Sequence, residues 1–208
     1  MHNYSKIYYF IDDFNRGEIQ KLDKNISLIY RNYKDKFDIK LIKKIKDYCV
    51  FQKRRFYISN NLKIAKSLKL DGVYIPSYNK LANFKNLNSK KNFIILGSAH
   101  NKAELVNKEN QGCEEIFIAP IFKTKKQNFY LDIIKFNLII RSSQKKIIAF
   151  GGINSSNFCR LKSARCDGFA SISWIKKNRP NKLGRFWILS IITRMRKIQK
   201  VLFLRIYQ

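Results

Sequence analysis

The sequence predicts a single-domain α/β protein, a compact (β/α)8 barrel of the TIM type, and three observations support this. Short apolar runs recur eight times, and that of Phe93–Leu96 is continuous, as expected of a strand buried on both faces. Nearly all of them are separated by a helical segment. No two are joined by a two-residue hairpin turn. Repeated strand–helix units within 208 residues favour a parallel barrel, with an open doubly wound sheet as the alternative.

Four predicted strands lie in the N-terminal part of the chain. They are Ile7–Ile11, Ile26–Tyr30, Phe56–Ser59 and Val73–Ile75. Asp38 is placed to cap a long amphipathic helix that ends near Phe51. Its predicted inward side consists of Ile39, Ile42, Ile45 and Val50. Shorter helices are expected over residues 16–22 and 62–68, and residues 77–92 are expected to form a loop with one weak helix.

The C-terminal part supplies the other four strands. They are Phe93–Leu96, Ile116–Ala119, Ile147–Phe150 and Phe169–Ile172, with Gly97 expected to stop the first of them. A helix is predicted from Lys102 to about Gln111, with Ala103, Val106 and Asn110 at helical spacing. A second is predicted over residues 128–142, with an inward side made of Leu131, Ile134, Leu138 and Ile139. Asn154 or Ser155 is expected to cap a third that ends near Ser163.

The net charge is extreme, with 43 Lys and Arg against 14 Asp and Glu, or +29. One interpretation is a nucleic-acid or anionic-membrane partner. The other is a compositional drift toward Lys, Asn and Ile. Because the lysines are scattered through every segment without a recognisable binding module, we favour the second interpretation and expect no specific nucleic-acid partner. The positive field would still attract a small anionic substrate.

The four cysteines, Cys49, Cys113, Cys159 and Cys166, form no CxxC pair and have no histidine at zinc-site spacing. We therefore expect reduced, mostly packing residues of a cytoplasmic protein. The N-terminus does not have the apolar core of a signal peptide, and no run reaches the ~18 apolar residues of a membrane span.

The last segment differs in composition from the rest. Residues 1–177 make up the predicted barrel, and residues 178–208 form a basic, apolar C-terminal helix or extension. Phe186–Thr193 is apolar, and basic and apolar residues are mixed after it. The segment is interpreted as the last barrel helix with an extension, or alternatively as a basic amphipathic helix that contacts a membrane surface.

Paired glycines follow the seventh predicted strand directly. Phosphate sites of such barrels usually lie in the loops after strands seven and eight. Gly151 and Gly152, with Ser171 and Ser173 around the end of strand eight, therefore predict a phosphate site. Since glycine lets the backbone approach a ligand closely, Gly152→Val is expected to weaken phosphate binding while the fold survives.

Two further side chains are candidates for chemistry at strand ends. His100, just past strand five, is interpreted either as a general acid, base or phosphate donor, or as a residue that anchors its loop by hydrogen bonds. Asp12, at the end of strand one, is the nearest carboxylate that could serve a metal ion.

Five motifs follow these strands in order. They are Asp71–Ile75, Gly97–His100, Ala119–Thr124, Ile148–Asn154 and Asp167–Ser173. In order and spacing, over roughly residues 56 to 175, the chain resembles the thiamine phosphate synthase family, which includes thiazole tautomerase relatives. The N-terminal part resembles the family more loosely.

The resemblance implies a barrel transferase of thiamine biosynthesis that couples a pyrimidine diphosphate to a thiazole phosphate, releases pyrophosphate and uses Mg²⁺. Carried over position by position, it implies catalytic roles for Arg31 and Ser98, and His100 is the third catalytic candidate because of its place just past strand five. The substrate-binding residues that it implies are Lys34, Asn60, Thr124, Lys126, Gly151, Gly152, Ile172 and Ser173. Asn60 also stands at the position implied for Mg²⁺.

The chain departs from the family pattern at both implied metal ligands. Ser59-Asn60-Asn61 replaces a carboxylate motif after strand three, and residues 77–79 have no carboxylate after strand four. Three functional hypotheses follow. The first is a synthase-like enzyme. The second is a non-synthase relative, tautomerase-like or phosphate-binding, although tautomerase relatives have a proton-transferring His where this chain has Pro120. The third is a non-catalytic barrel held to nucleic acid or a membrane by its charge.

Overall fold

The computed structural model describes residues 4, 6–32, 37–80, 84, 93–125 and 128–177. Within them, eight parallel strands close into a barrel in sequence order, with the last strand paired to the first. The closure confirms the predicted (β/α)8 barrel and excludes the open sheet. The strands are β1 (Lys6–Ile11), β2 (Ile26–Tyr30), β3 (Phe56–Ser59), β4 (Gly72–Ile75), β5 (Ile94–Ala99), β6 (Glu115–Ile118), β7 (Lys146–Phe150) and β8 (Gly168–Ala170).

Helical segments lie between most of the strands. They are α1 (Arg16–Gln20), α2 (Ile39–Phe51), α3 (Leu62–Ser67), α4 (Lys102–Asn110), α5 (Asp132–Ile140), a 3₁₀ helix (Phe158–Ser163) and α6 (Ser173–Lys177). The first four helices begin at an Asn or Asp whose side chain accepts a hydrogen bond from a backbone N–H of the first turn. Each cap satisfies one of the amide groups that a helix start leaves without an intrahelical partner.

The predicted strand positions agree with the structure to within a few residues, and the largest difference is in β5. This strand continues through Gly97 to Ala99. Gly97 lies inside the strand and does not end it. A Cβ added at Gly97 would meet the Cys113 Sγ at 2.7 Å. The glycine is explained by close packing of the strand against the segment before β6.

The predicted inward faces of the helices are less accurate than the strands. In α2 the buried residues are Ile42, Ile45 and Cys49, whereas Val50 is 66% exposed. Val50 follows Ile45 by five residues, which turns it roughly 140° around the helix axis. In α4 the buried residues are Leu105 and Lys108, so the predicted face is wrong.

Helix α5 departs furthest from its prediction. Phe136 and Ile140 are buried, whereas Ile134 is 76% and Leu138 61% exposed. The segment is apolar on nearly every side, so periodicity alone does not select one face. The weak helix predicted within residues 77–92 falls almost entirely outside the described residues, as does the segment 178–208.

Aromatic rings fill the interior of the barrel. Phe117 on β6 is fully buried, and its ring centroid lies 5.0 Å from Tyr8, 5.4 Å from Tyr74 and 6.0 Å from Phe10. Most of these pairs are tilted or edge-to-face, the arrangements that aromatic quadrupoles prefer. Since successive strand residues point to opposite faces, alternate positions fill the barrel and the others pack against the helices. The barrel is therefore a packed core, open only at its ends.

Two further expectations concern cysteines and membranes. Cys49 and Cys113 are buried, and burial raises the pKa of each thiol to about 12, as expected of packing residues. Cys159, by contrast, is exposed. Among the described residues, none of the helices has the length and apolar character that crossing a membrane requires.

Replacing Phe117 tests the packed interior. Phe117→Ala should lower the free energy of unfolding by about 3–5 kcal/mol, because it opens a cavity among rigid rings. Leu138→Ala is the matched control. The sequence pattern predicts an inward Leu138 but the structure exposes it, so the change should cost within about 0.5 kcal/mol. Urea unfolding measures both, and equal losses would contradict the packing described here.

Candidate active site

The candidate site lies at the carboxyl ends of the strands, where loops of a parallel barrel gather. Five of the predicted site residues follow strands at this end. They are Arg31 after β2, Asn60 after β3, His100 after β5, Gly151 after β7 and Ile172 shortly after β8. Ser98 is the second-last residue of β5. Lys34 and Lys126 lie outside the described residues.

The floor of this mouth is aromatic. The Phe10 and Phe150 rings are stacked with centroids 5.0 Å apart, and Tyr74 meets Phe10 edge-on at 5.2 Å. The Arg31 guanidinium carbon lies 5.2 Å from the Phe10 centroid, within range of a cation–π contact. A planar heterocycle could stack on such a floor, and Arg31 would supply positive charge beside it.

Two serine hydroxyls lie just above the floor. Ser98 follows the inward Leu96 by two residues, and Ser59 likewise follows Tyr57, so both point into the barrel. Each serine is only 5% exposed. The placement of Ser98 is compatible with the contact to a substrate that the resemblance implies, and Ser59 is an addition that the sequence analysis did not select.

A cavity of about 360 Å³ opens beside the mouth, between the ends of β1, β2 and β8. It brings together three sequence-predicted residues, Asp12, Arg31 and Ile172. Its wall also contains residues that the sequence analysis did not select, namely Asp13, Asn15 and Glu18. The pair Asp12-Asp13 at a strand end was a signal that could have indicated them.

Asn60 and Asn79 meet at the ends of β3 and β4. The Asn79 Nδ2 donates a hydrogen bond of 2.7 Å to the Asn60 Oδ1. Asn60 has a φ of 55°, a left-handed conformation that asparagine adopts more readily than most residues. The two positions at which the resemblance implies metal ligands are therefore adjacent, but their neutral amides bond to each other.

This arrangement does not fit a Mg²⁺ ion. Mg²⁺ prefers charged oxygen ligands in octahedral geometry, and neither amide supplies a charge. Over residues 4–177, apart from the gaps noted above, no group of three or more His, Cys, Asp or Glu side chains is arranged to hold a metal ion. Asp12 lies in the neighbouring cavity together with other carboxylates.

The imidazole of His100 is anchored to the next strand end. Its Nδ1 lies 2.7 Å from the carbonyl oxygen of Ala119, directly before the cis peptide bond to Pro120. A carbonyl oxygen only accepts, so Nδ1 carries the proton and Nε2 of the neutral ring keeps its lone pair. The anchoring interpretation of His100 thus has a definite partner, and the ring retains a basic nitrogen.

The glycine pair after β7 serves tight backbone packing. Gly151 and Gly152 have φ values of 88° and 72°, and a Cβ on Gly152 would lie 2.2 Å from the Phe122 carbonyl oxygen. The expectation that Gly152→Val leaves the fold intact is therefore wrong, because a side chain would collide with the β6–α5 loop. The Asn157 Nδ2 donates to the Gly152 carbonyl at 2.9 Å and fixes this loop further.

The remaining candidates surround the same loop. Ser171 is buried and its Oγ donates to the Ile153 carbonyl at 3.5 Å, whereas Ile172 and Ser173 are exposed. Thr124 is half-buried in the β6–α5 loop. The structure thus gathers the ends of β6, β7 and β8 on one side of the mouth.

A buried lysine supports the Asn60–Asn79 pair from behind. Lys108 is 1% exposed, and its Nζ donates to the carbonyl oxygens of Pro76 and Asn79, each at 2.7 Å, and to Gln111 Oε1 at 2.8 Å. Burial lowers the pKa of this amine. Sequence analysis missed Lys108, because a lone lysine on an amphipathic helix is normally solvated.

Comparison with known proteins points to one family. The model of the thiamine monophosphate synthase family matches residues 22–175. The thiamine-phosphate synthase of Prochlorococcus marinus is 30% identical over 160 residues, which cover 74% of this chain and 46% of the relative. That of Methanocella arvoryzae is 28% identical over 121 residues, 57% of each chain. The chain thus spans about half the length of these two relatives.

A third relative and a solved structure extend the comparison. The thiamine-phosphate synthase of Fusobacterium nucleatum is 27% identical over 154 residues, 73% of this chain and 75% of the relative. The structure of thiamine phosphate pyrophosphorylase from Pyrococcus furiosus superposes with a TM-score of 0.67 at 18% identity. It covers 85% of this chain and 92% of that one, and at this identity it supports the fold.

The loop after β7 can be tested with a small substitution. Gly152→Ala should lower the free energy of unfolding by about 2 kcal/mol or more, because of its positive φ and the contact with Phe122. Gly17→Ala is the control, since its Cβ would have only the Asn15 Oδ1 nearby, at 3.6 Å. It should change stability by at most about 1 kcal/mol. A Gly152→Ala variant as stable as the control would contradict the tight packing.

Proposed function

Since this chain belongs to the thiamine monophosphate synthase family, we propose that it acts as a synthase-like transferase on small phosphorylated substrates. The proposed reaction couples a pyrimidine diphosphate to a thiazole phosphate and releases pyrophosphate. The observation that carries this proposal is the match of the family model over residues 22–175, which include nearly all of the barrel.

The proposed reaction needs a diphosphate to leave a benzylic-type carbon. The carbon–oxygen bond breaks with its electron pair going to the diphosphate, and the thiazole nitrogen then bonds to the pyrimidine cation. Negative charge therefore develops on the leaving group, where fixed cations are most effective. Arg31, held above Phe10, is proposed to take up this charge, and Ser98 to hold the pyrimidine or the diphosphate.

The thiazole phosphate is proposed to lie on the side of the mouth formed by the ends of β6, β7 and β8. The loop at Gly151 and Gly152 and the residues Ile172 and Ser173 surround that side, with Thr124 from the neighbouring loop. The dense packing of Gly152 against Phe122 supports a rigid loop, and rigidity lowers the cost of ordering a bound phosphate. Lys34 and Lys126 are added to the proposed contacts from the sequence resemblance alone.

The family generally depends on Mg²⁺, and the neutral Asn60–Asn79 pair does not suit that ion. We therefore assign the charge stabilisation to this chain's own cations. Among the residues that the structure describes, Arg31 is the candidate for this stabilisation. The overall charge of +29 would also favour an anionic substrate. A weak dependence of turnover on Mg²⁺ is the consequence.

The proposed activity can be measured directly. Purified protein with both phosphorylated substrates should release pyrophosphate and form thiamine phosphate, slowly and with little response to Mg²⁺. Arg31→Gln should reduce turnover by about a hundredfold, because it removes a charge that acts on the leaving group. Absence of product in the folded wild type, with and without Mg²⁺, would rule out the synthase reaction.

Restoring carboxylates tests the interpretation of the Asn60–Asn79 pair. The double variant Asn60→Asp, Asn79→Asp should raise Mg²⁺ affinity by about tenfold or more, and turnover with it, since charged oxygens suit this cation better than amides. Asn25→Asp adds one carboxylate in the loop before β2, at the far end of the barrel, and should have no effect. Tight Mg²⁺ binding by the wild type would show that the metal ligands lie elsewhere.

His100 favours a second candidate function, proton transfer on thiazole phosphate alone. Tautomerase relatives have a base at the position of Pro120, and the ring of His100 is bonded to the adjacent Ala119 carbonyl. An imidazole therefore lies close to that strand end, although it comes from β5. In this alternative Nε2 would remove the proton, while the hydrogen bond of Nδ1 orients the ring.

His100→Asn separates the two roles of this residue. The Asn amide can replace the Nδ1–H donor to Ala119 but supplies no base. If His100 is the base of a tautomerase, the variant should keep its thermal stability and lose that activity by about a hundredfold or more. Unchanged activity in the variant would leave His100 with an anchoring role only.

A further inference from the structure

A second cavity, here called the lower cavity, lies at the end of the barrel opposite the mouth. It has a volume of about 390 Å³ and opens among the amino-terminal ends of the strands. Its lining residues are Lys6, Arg55, Ile94, Glu114, Glu115, Gln144, Lys145 and Lys146. The proposed coupling reaction makes no use of this end, so the concentration of charge there has no explanation in that reaction.

The carboxylate of Glu115 belongs to the wall of this cavity. Glu115 is 2% exposed, its Oε1 lies 3.0 Å from Lys6 Nζ, and its Oε2 accepts a hydrogen bond from the Tyr8 hydroxyl. The charge of this carboxylate is thus compensated from both sides. Lys6 and Glu115 therefore form an ion pair without net charge at the amino-terminal ends of the strands.

The rest of the lining is positive. Beyond the Lys6–Glu115 pair, three cations, Arg55, Lys145 and Lys146, accompany one carboxylate, Glu114, giving a local charge of +2. Glu114 is turned partly toward the sheet, because its Oε1 lies 3.4 Å from the backbone nitrogen of Ile95. The cations come from the residues just before β3 and from the start of β7, so the barrel itself fixes their separation.

Arg55 has a second polar neighbour at this end. The hydroxyl of the fully buried Tyr57 lies beside its guanidinium, and this contact raises the pKa of Arg55. Burial raises the pKa of this phenol, so it remains a neutral donor. The guanidinium of Arg55 has five N–H donors, so it keeps donors for an anion oxygen beside its contact with Tyr57.

We propose that this lower cavity binds a small, multiply charged phosphate, of the diphosphate or triphosphate class. Three cations line the cavity, more than one phosphate monoanion needs, and a guanidinium can hold two phosphate oxygens at once. The site is concave and bounded by strand ends, so it admits a compact anion more readily than the extended backbone of a nucleic acid. This site does not depend on the proposed synthase reaction.

Titration with inorganic pyrophosphate tests the proposal. The full-length protein is titrated calorimetrically in the Arg31→Gln background, so that binding at the mouth is weakened and the lower cavity is observed. In that background Arg55→Gln should weaken pyrophosphate binding by about tenfold or more, because it removes a charge-assisted contact. Glu114→Gln should strengthen it several-fold, since it removes the opposing carboxylate.

Lys43→Gln is the matched control, because it removes one exposed positive charge from α2, outside the cavity. It should leave the affinity unchanged. Equal losses in Arg55→Gln and Lys43→Gln would overturn the proposal in favour of diffuse attraction to the whole chain. Absence of binding in the Arg31→Gln background, with binding in the wild type, would assign the pyrophosphate to the mouth. Circular dichroism checks that each variant is folded.

Discussion

The interior of a closed barrel of eight parallel strands must be filled by the side chains of alternate residues, and the rest of this structure depends on that constraint. Here Phe117 occupies the middle, surrounded by Tyr8, Phe10 and Tyr74. Large rings fill the space with few atoms from each strand. The uppermost rings become the floor of the mouth, so core packing also decides what kind of ligand the site can accept.

This packing fixes the ends of the strands, and the strand ends in turn position the polar side chains of the candidate site. Arg31 lies over an aromatic ring, and His100 is bonded to the end of the neighbouring strand. Asn60 and Asn79 are held together, with Lys108 bonded to the carbonyl groups behind them. At the ends of β3 and β4, neutral amides thus occupy the positions at which the family resemblance implies metal-binding carboxylates.

The two ends of the barrel differ in how they arrange charge. At the mouth, Asp12 and Asp13 share a cavity wall with Arg31, so both signs are present. At the lower end, the internal pairing of Glu115 with Lys6 leaves an excess of positive charge around Arg55. A scattered charge of +29 in the sequence thus becomes two distinct electrostatic environments once the strands are placed.

The amino-acid sequence predicts the strands, their parallel order and the family, because buried strands are short apolar runs between polar loops. It also located Arg31, Asn60 and His100 at strand ends. Only the tertiary structure decided which helix faces are buried, as Ile134 and Leu138 demonstrate, since nearly uniform apolar segments contain no directional signal. It alone revealed the bond between Asn60 and Asn79, the burial of Lys108 and the collision that a side chain at Gly152 would cause. The physical reason is that these contacts join residues distant in sequence, and local patterns carry no information about which distant atoms will meet.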